Sequence, residues 1–227
     1  MKIDIKGVIV PNDDKEIYDW FGYDAVCPKD VAEGLEKANG QAVDVYINSD
    51  GGDVFAGSEI YSALREYGNV NLHVVGRAIS AASLVLCAGK SDITPSGVVM
   101  LHNVSMYGVS GDYHEMDKAS EVLKKLNESI AIAYHEKTGK SRDELLEIMN
   151  RETWMHADDA VKAGIVDNIT QGKQQFAAVY GSPLIPRSTI EKIRNTLKNP
   201  PDFQADFNMR KKAQQQINIL KIGGVKE

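Results

Sequence analysis

With 227 residues, 43% apolar and 26% charged, the chain can bury one sizeable core with material to spare, and this balance excludes disorder throughout. Net charge is −6 but uneven: residues 187–227 hold nine Lys/Arg against four Asp/Glu, a local +5 that leaves −11 for residues 1–186. An acidic body argues against nucleic-acid binding by the fold itself, and the best apolar run, Ala81 to Ala88, is too short to span a bilayer.

Met1-Lys2-Ile3-Asp4-Ile5-Lys6 sets charges where a secretory signal needs an apolar run, and reads instead as the start of a strand, Ile3 to Val10. Pro11-Asn12-Asp13-Asp14 reads as a turn. A helix follows over roughly 29–38, with Pro28 and Asp30 at its start and Asn39-Gly40 as its stop. Val43 to Ile47 alternates strictly, as a strand does, and ends in Asn48-Ser49-Asp50-Gly51-Gly52. A helix through Phe55, Ile60 and Leu64 comes next, then a strand from Val70 to Val75. This alternation of strand and helix predicts right-handed βαβ crossovers and a mainly parallel sheet.

After Gly76-Arg77-Ala78-Ile79-Ser80 an apolar helix begins, with Cys87 as a core residue of it. Cys27 and Cys87 show no spacing of a metal site or disulfide framework, which fits a reducing cytoplasm. Val98 to Leu101 is strand-like and delivers His102. From about His114 to Lys137, apolar residues at Met116, Ala119, Leu123, Leu126, Ile130 and Ala133 alternate spacings of three and four, the seam of a long helix that packs lengthwise on another. Such a helix can lie on its own sheet; its narrow seam fits an oligomer contact better. Thr138-Gly139 closes it, Ser141-Arg142-Asp143-Glu144 is a capping box for a short helix, and a last small helix ends at Gly164 before a final strand, Ile165-Val166-Asp167. Beyond about residue 180, prolines and basic residues replace the apolar pattern. We read residues 181–227 as a weakly structured tail with one or two short helices, appended to one domain of residues 1–180.

Ser80 sits where a strand hands over to a helix, so its hydroxyl lies near unpaired backbone N–H groups that suit a developing negative charge. His102 ends the next strand-like run. A nucleophile, a base and a glycine turn on consecutive βα units point to acyl transfer. The plain alternatives are a helix N-cap for Ser80 and a half-buried strand histidine for His102. Other common sites fail on spacing: Gly89-Lys90-Ser91 lacks the earlier glycine of a P-loop, Lys118 stands where a zinc-protease helix needs its second histidine after His114-Glu115, and the five histidines share no metal-ligand spacing.

Four stretches, Tyr46 to Gly52, Gly76 to Ala82, Val99 to Asn103 and Ala157 to Asp167, together resemble the proteolytic subunit of the Clp protease, in that family's order and over residues 1–170. The resemblance implies an α/β fold of the ClpP/crotonase type, built of repeated ββα units with a long protruding oligomerisation helix. It implies Ser80 as nucleophile, His102 as general base and the amides of Gly52 and Ala81 as the oxyanion hole. The family's Asp after Arg is matched by Arg151-Glu152, so Glu152 takes the third place, with Asp158 and Asp112 as fallback acceptors; the plain alternative for Glu152 is an ordinary helix-end carboxylate. No cofactor is implied.

The resemblance further implies homo-oligomeric rings, two stacked heptamers among the arrangements, that enclose the active sites and admit peptide or protein chains, with an apolar residue before the scissile bond. The chain begins at the first core strand, without the family's ATPase-docking hairpin, and adds a basic tail. Both features resemble the Clp-like proteases of phage heads and prophages, which process capsid and scaffold proteins. The expectation is therefore a serine endopeptidase of host cytoplasm or procapsid, with no membrane or nucleic-acid partner and a doubtful ATPase partner. Its rivals are a housekeeping subunit working with a Clp ATPase, a non-proteolytic acyl-CoA enzyme on the same scaffold, and an inert interaction protein. Deleting 187–227 is expected to abolish procapsid incorporation and spare hydrolysis.

Overall fold

In the computed structural model, which describes residues 1–170, 185–198 and 212, the alternation of the first residues becomes β1 (Lys2–Ile9), with Ile3 and Ile5 inward and Lys2, Asp4 and Lys6 outward. The expected turn at Pro11–Asp14 is instead the start of a helix, α1 (Asn12–Trp20). Pro11 occupies the N-cap position, where a missing N–H costs nothing, and Ile17 and Tyr18 give the helix a buried face. A two-residue strand, β2 (Ala25–Val26), leads to α2 (Pro28–Ala38). Pro28 opens this helix, Asp30 accepts from Cys27 N at 3.0 Å, and Asn39 ends it in the left-handed region at φ 47°.

Next come β3 (Val43–Gly52), α3 (Val54–Tyr67), capped by Asp53, and β4 (Val70–Ile79), each of the two strands ten residues and longer than its apolar core predicts. A short helix α4 (Ala81–Val85) tightens into a 3₁₀ turn, Leu86–Ala88, before β5 (Lys90–Ile93) and β6 (Val98–Leu101). The predicted long helix is α5 (Tyr113–Thr138), closed by Gly139 at φ 71°. Ser141 caps α6 (Arg142–Asn150) through Glu144 N. The reciprocal half of the expected box is missing because the Glu144 carboxylate pairs with Lys140 at 2.6 Å. The chain continues through β7 (Thr153–His156), α7 (Ala157–Lys162), closed near Gly164, and β8 (Asn168–Ile169). The final strand thus lies just beyond Ile165-Val166-Asp167, whose Ile165 and Val166 are buried under it as core.

The strands run parallel in the order β2-β1-β3-β4-β5-β8. The first half of β4 pairs with β5 and its second half, Arg77–Ile79, with β6, whose far edge takes β7 antiparallel. One face, carrying Ile3, Ile5, Val45, Ile47, Leu72 and Val74, is buried under Val31 and Leu35 of α2 and Ile60 and Leu64 of α3. This is the α/β architecture expected. From Tyr113 to Ile130 no residue of α5 is fully buried; only its foot, at Ala131, Ala133 and Tyr134, enters the core. No helix among the described residues is long and apolar enough to cross a membrane.

A last helix, α8 (Arg187–Lys198), falls within the stretch assigned to the tail. Ile185 and Ile190 pack with Val8, Val10, Ile17, Tyr18 and Cys27 in a second, smaller cluster. The proposed boundary near residue 180 and the tail beyond α8, save Lys212, lie outside the described residues.

Candidate active site

Two irregularities at the carboxyl edge of the sheet shape the site. Opposite Gly7–Val8 of β1, strand β3 carries an extra residue, Asp50, and the fully buried Ser49 locks the bulge by donating to Gly7 O at 2.6 Å and accepting from Gly51 N at 3.0 Å. Register then slips between β3 and β4, Ile47 facing Val74 but Ser49 facing Ala78. Asp50 is turned out to meet Arg77, whose Nη2 donates to it at 2.8 Å. These bulges bring the Gly51–Gly52 turn against the end of β4. A Cβ on Gly51 would stand 2.8 Å from both Ala81 N and Ser80 Cβ, and one on Gly52 (φ 149°) would overlap the carbonyl oxygen of Ile9. Both positions need glycine for space and conformation.

Ser80 follows β4 at φ 57°, ψ −125°, a strained backbone for a residue with a side chain. Its hydroxyl makes no cap to α4; it lies 2.7 Å from His102 Nε2. Ser80 thus stands at the N-cap position of α4, as the plain alternative has it, but its side chain caps nothing. Beneath it, Ser83 Oγ donates to Ser80 O at 2.6 Å and meets the Tyr134 hydroxyl of α5 at 2.7 Å, both side chains buried.

His102 is half-buried, and burial holds its imidazole below the ordinary histidine pKa, with the Glu152 charge pulling the other way. It is thus neutral at pH 7 and able to accept the Ser80 proton at Nε2. Glu152 sits between α6 and β7 at φ 48° and accepts from Trp154 Nε1 at 3.3 Å. No hydrogen bond joins Glu152 to His102 among the described residues; the two interact through charge alone. Of the fallback acceptors, Asp112 is spent capping α5 through His114 N and Glu115 N, and Asp158 is exposed in the first turn of α7.

A cavity of ≈690 Å³ opens over this group. Ser80, His102, Gly52 and Ala81 line it together with apolar residues, Ile9, Val10, Leu126 and Ile130 among them. Ser49, Ser83 and Tyr134 are the site residues that sequence reasoning missed. Ser49 sat inside a motif already singled out, where a serine before Asp-Gly-Gly is a signal for a turn lock; the other two gave no signal beyond a helix pattern. Among the described residues, no cluster of His, Cys, Asp and Glu is arranged to hold a metal. Burial pushes the Cys87 thiol up to about 12, which makes it inert.

The Clp protease family model matches residues 33–173, more than half of the chain. The chain belongs to the Clp protease family. It is 32% identical over 133 residues to the ATP-dependent Clp protease proteolytic subunit of Deinococcus radiodurans, a match covering 57% of this chain and 65% of that protein. It is 32% identical over 161 residues to the ATP-dependent Clp protease proteolytic subunit 1 of Chlamydia abortus, covering 66% and 84%. With the subunit 1 of Chlamydia caviae it shares 31% over 171 residues, 69% and 90% of the two chains. The matched region carries Gly52, Ser80, Ala81, His102 and Glu152. It excludes β1, α1, β2 and α8, as well as the opening residues of α2.

Proposed function

We propose that this Clp-family chain is a serine endopeptidase that hydrolyses peptide bonds through an acyl-enzyme. The observation that carries the reading is the 2.7 Å bond from Ser80 Oγ to His102 Nε2, made in place of a helix cap. In this scheme neutral His102 takes the Ser80 proton as Oγ attacks the substrate carbonyl carbon. The oxyanion falls to the amides of Gly52 and Ala81, one donor of this kind being worth ~10²–10³ in turnover. His102 then gives the proton to the leaving amine, and repeats the cycle with water to release the acyl group. Glu152 exchanges its long bond from Trp154 for one from His102 Nδ1–H, which fixes the tautomer of the neutral ring and then stabilises the imidazolium.

The seam of α5, half-buried from Ala119 to Ile130 in the single chain, supports a homo-oligomer whose chamber restricts access to Ser80, and the apolar cavity lining at Leu126 and Ile130 supports an apolar side chain next to the scissile bond. Fluorophosphonate labelling tests the chemistry. Wild type is expected to label and to cleave peptides, Ser80→Ala to do neither, and His102→Ala to lose both by orders of magnitude; an unlabelled wild type would favour the acyl-CoA or inert readings and end this one.

The relatives are named ATP-dependent proteolytic subunits, which favours, as a second reading, a housekeeping subunit that works with an ATPase. Co-purification with a Clp ATPase and ATP-stimulated degradation of a folded protein would establish it. The narrower maturation role, processing phage capsid or scaffold proteins, has the basic C-terminal stretch as its support. Its test is deletion from residue 199 onward, which leaves α8 in place. Loss of procapsid incorporation with peptide hydrolysis retained is the expected result, and unchanged incorporation refutes it.

A further inference from the structure

The family match ends at residue 173, yet Ile185, Pro186 and Ile190 line the same cavity as Ser80 and His102. The cavity follows the carboxyl ends of the parallel strands, where ligands of open α/β sheets bind. It runs from His102 after β6, past Ser80 after β4 and Gly52 of β3, to Val10 and Pro11 after β1. The segment at 185–190 forms the wall at that last end, facing Val10 and Tyr18.

That wall is fastened on both sides. Ile185 N donates to the Tyr18 hydroxyl at 3.1 Å, and Ile190 is buried. One helical turn further on, Arg194 Nη2 donates to Asp13 O and to the Asp14 carboxylate, each at 2.7 Å. The Asp14 side chain is only 5% exposed, so removing Arg194 would strip a buried carboxylate of a cationic partner. A volume of ≈690 Å³ falls within the ~300–1,000 Å³ of pockets that enclose whole ligands, more than one side chain needs. Besides Ser80 and His102 the lining holds two separate apolar groups, Leu126 and Ile130 of α5, and Val10 after β1, Tyr18 of α1, Ile185 just before α8 and Ile190 within it, the last four packed in one cluster.

We infer that Ile185 and α8 form a specificity wall: Ile185 and Ile190, latched by Arg194 to Asp14, select a second apolar side chain of the substrate, at a position other than the residue whose carbonyl is attacked. The inference rests on the peptidase reading above. An extended peptide advances about 3.3 Å per residue with alternate side chains on one face, so one bound chain can present different side chains to the two apolar groups.

The test uses fluorogenic peptides that carry Leu or Ala in turn at each position around the scissile bond, cleaved by the full-length protein. Wild type is expected to prefer Leu by roughly tenfold or more at one position besides that preceding the bond. Ile190→Ala and Arg194→Met should each collapse that second preference, mainly through KM, while the preference preceding the bond persists. Equal preferences in wild type and variants, or a common drop for all peptides, would overturn the inference. Arg194→Met keeps the test decisive if Ile190→Ala does not fold, with a thermal melt recorded for both. Wild-type labelling of Ser80 with unchanged selectivity sinks the wall alone; absence of labelling sinks the peptidase reading and the wall with it.

Discussion

Replacing Glu152 with Gln asks whether a carboxylate bonded elsewhere in the resting protein completes the triad. Its present bond, from Trp154 Nε1 at 3.3 Å, is at the long edge of the N–H···O range and is made by a ring 56% exposed, so exchange toward His102 costs little. Two magnitudes then separate two roles. An exposed charge that merely faces the imidazole contributes at most about 1 kcal/mol, a factor of roughly five. A carboxylate that fixes the tautomer is worth up to ~10⁴ in turnover, because a Gln amide can donate to Nδ1 and leave the proton on Nε2, facing the serine. We expect Glu152→Gln to lower kcat at least a hundredfold with the fold intact. The remaining activity should show its acid limb moved to lower pH, since the charge that raises the His102 pKa is gone. The assay is kcat and kcat/KM for a fluorogenic peptide against pH, with a melting curve alongside. A loss below about fivefold would remove Glu152 from the triad.

In wild type, burial holds His102 below the ordinary histidine value, and only the neutral ring accepts a proton; the acid limb of kcat/KM should therefore fall below pH 6.5. Gly52→Ala combines a disfavoured φ of 149° with overlap of Ile9 O; a cost of about 2–3 kcal/mol, or roughly 5–10 °C in Tm, should accompany displacement of the residue-52 N–H from its place and a fall in peptide hydrolysis, as read by melting and peptidase assay. Asp167 has its pKa raised by burial but lowered, in net, by the hydrogen bond and charge of Lys137 and by Ser91 N at 2.7 Å. A depressed carboxyl stabilises the fold above its unfolded value of about 3.9 and ceases to as pH falls through the folded one. Lys137→Met should thus lower Tm at pH 7, and the gap to wild type should shrink below about pH 4.

The Ser80–His102 pair was legible because two kinds of pattern coincide at it: apolar strands that end in glycine turns, and a serine and a histidine at the handover points. The seam of α5 was legible for a similar reason, seven turns being long enough for a period to declare itself. α1 was not, since Pro11-Asn12-Asp13-Asp14 has the composition of a turn and of a helix start alike, and only the burial of Ile17 and Tyr18 decides between them. Strands β5 and β7, at four residues each, are too short for alternation to show. The docking of α8 depends on Ile185, Ile190 and Arg194 meeting residues some 170–180 positions earlier, and two isoleucines in a basic stretch carry no period. Glu152 was placed by likeness to a motif; its bond from Trp154 has no signature in sequence.

The hydroxyl chain from Tyr134 through Ser83 to Ser80 O joins the foot of α5 to the strained backbone of Ser80. Above that foot, from Tyr113 to Ile130, no residue of the helix is fully buried. A contact made on its upper turns would thus stand one helix and one hydroxyl relay away from the residue that faces His102.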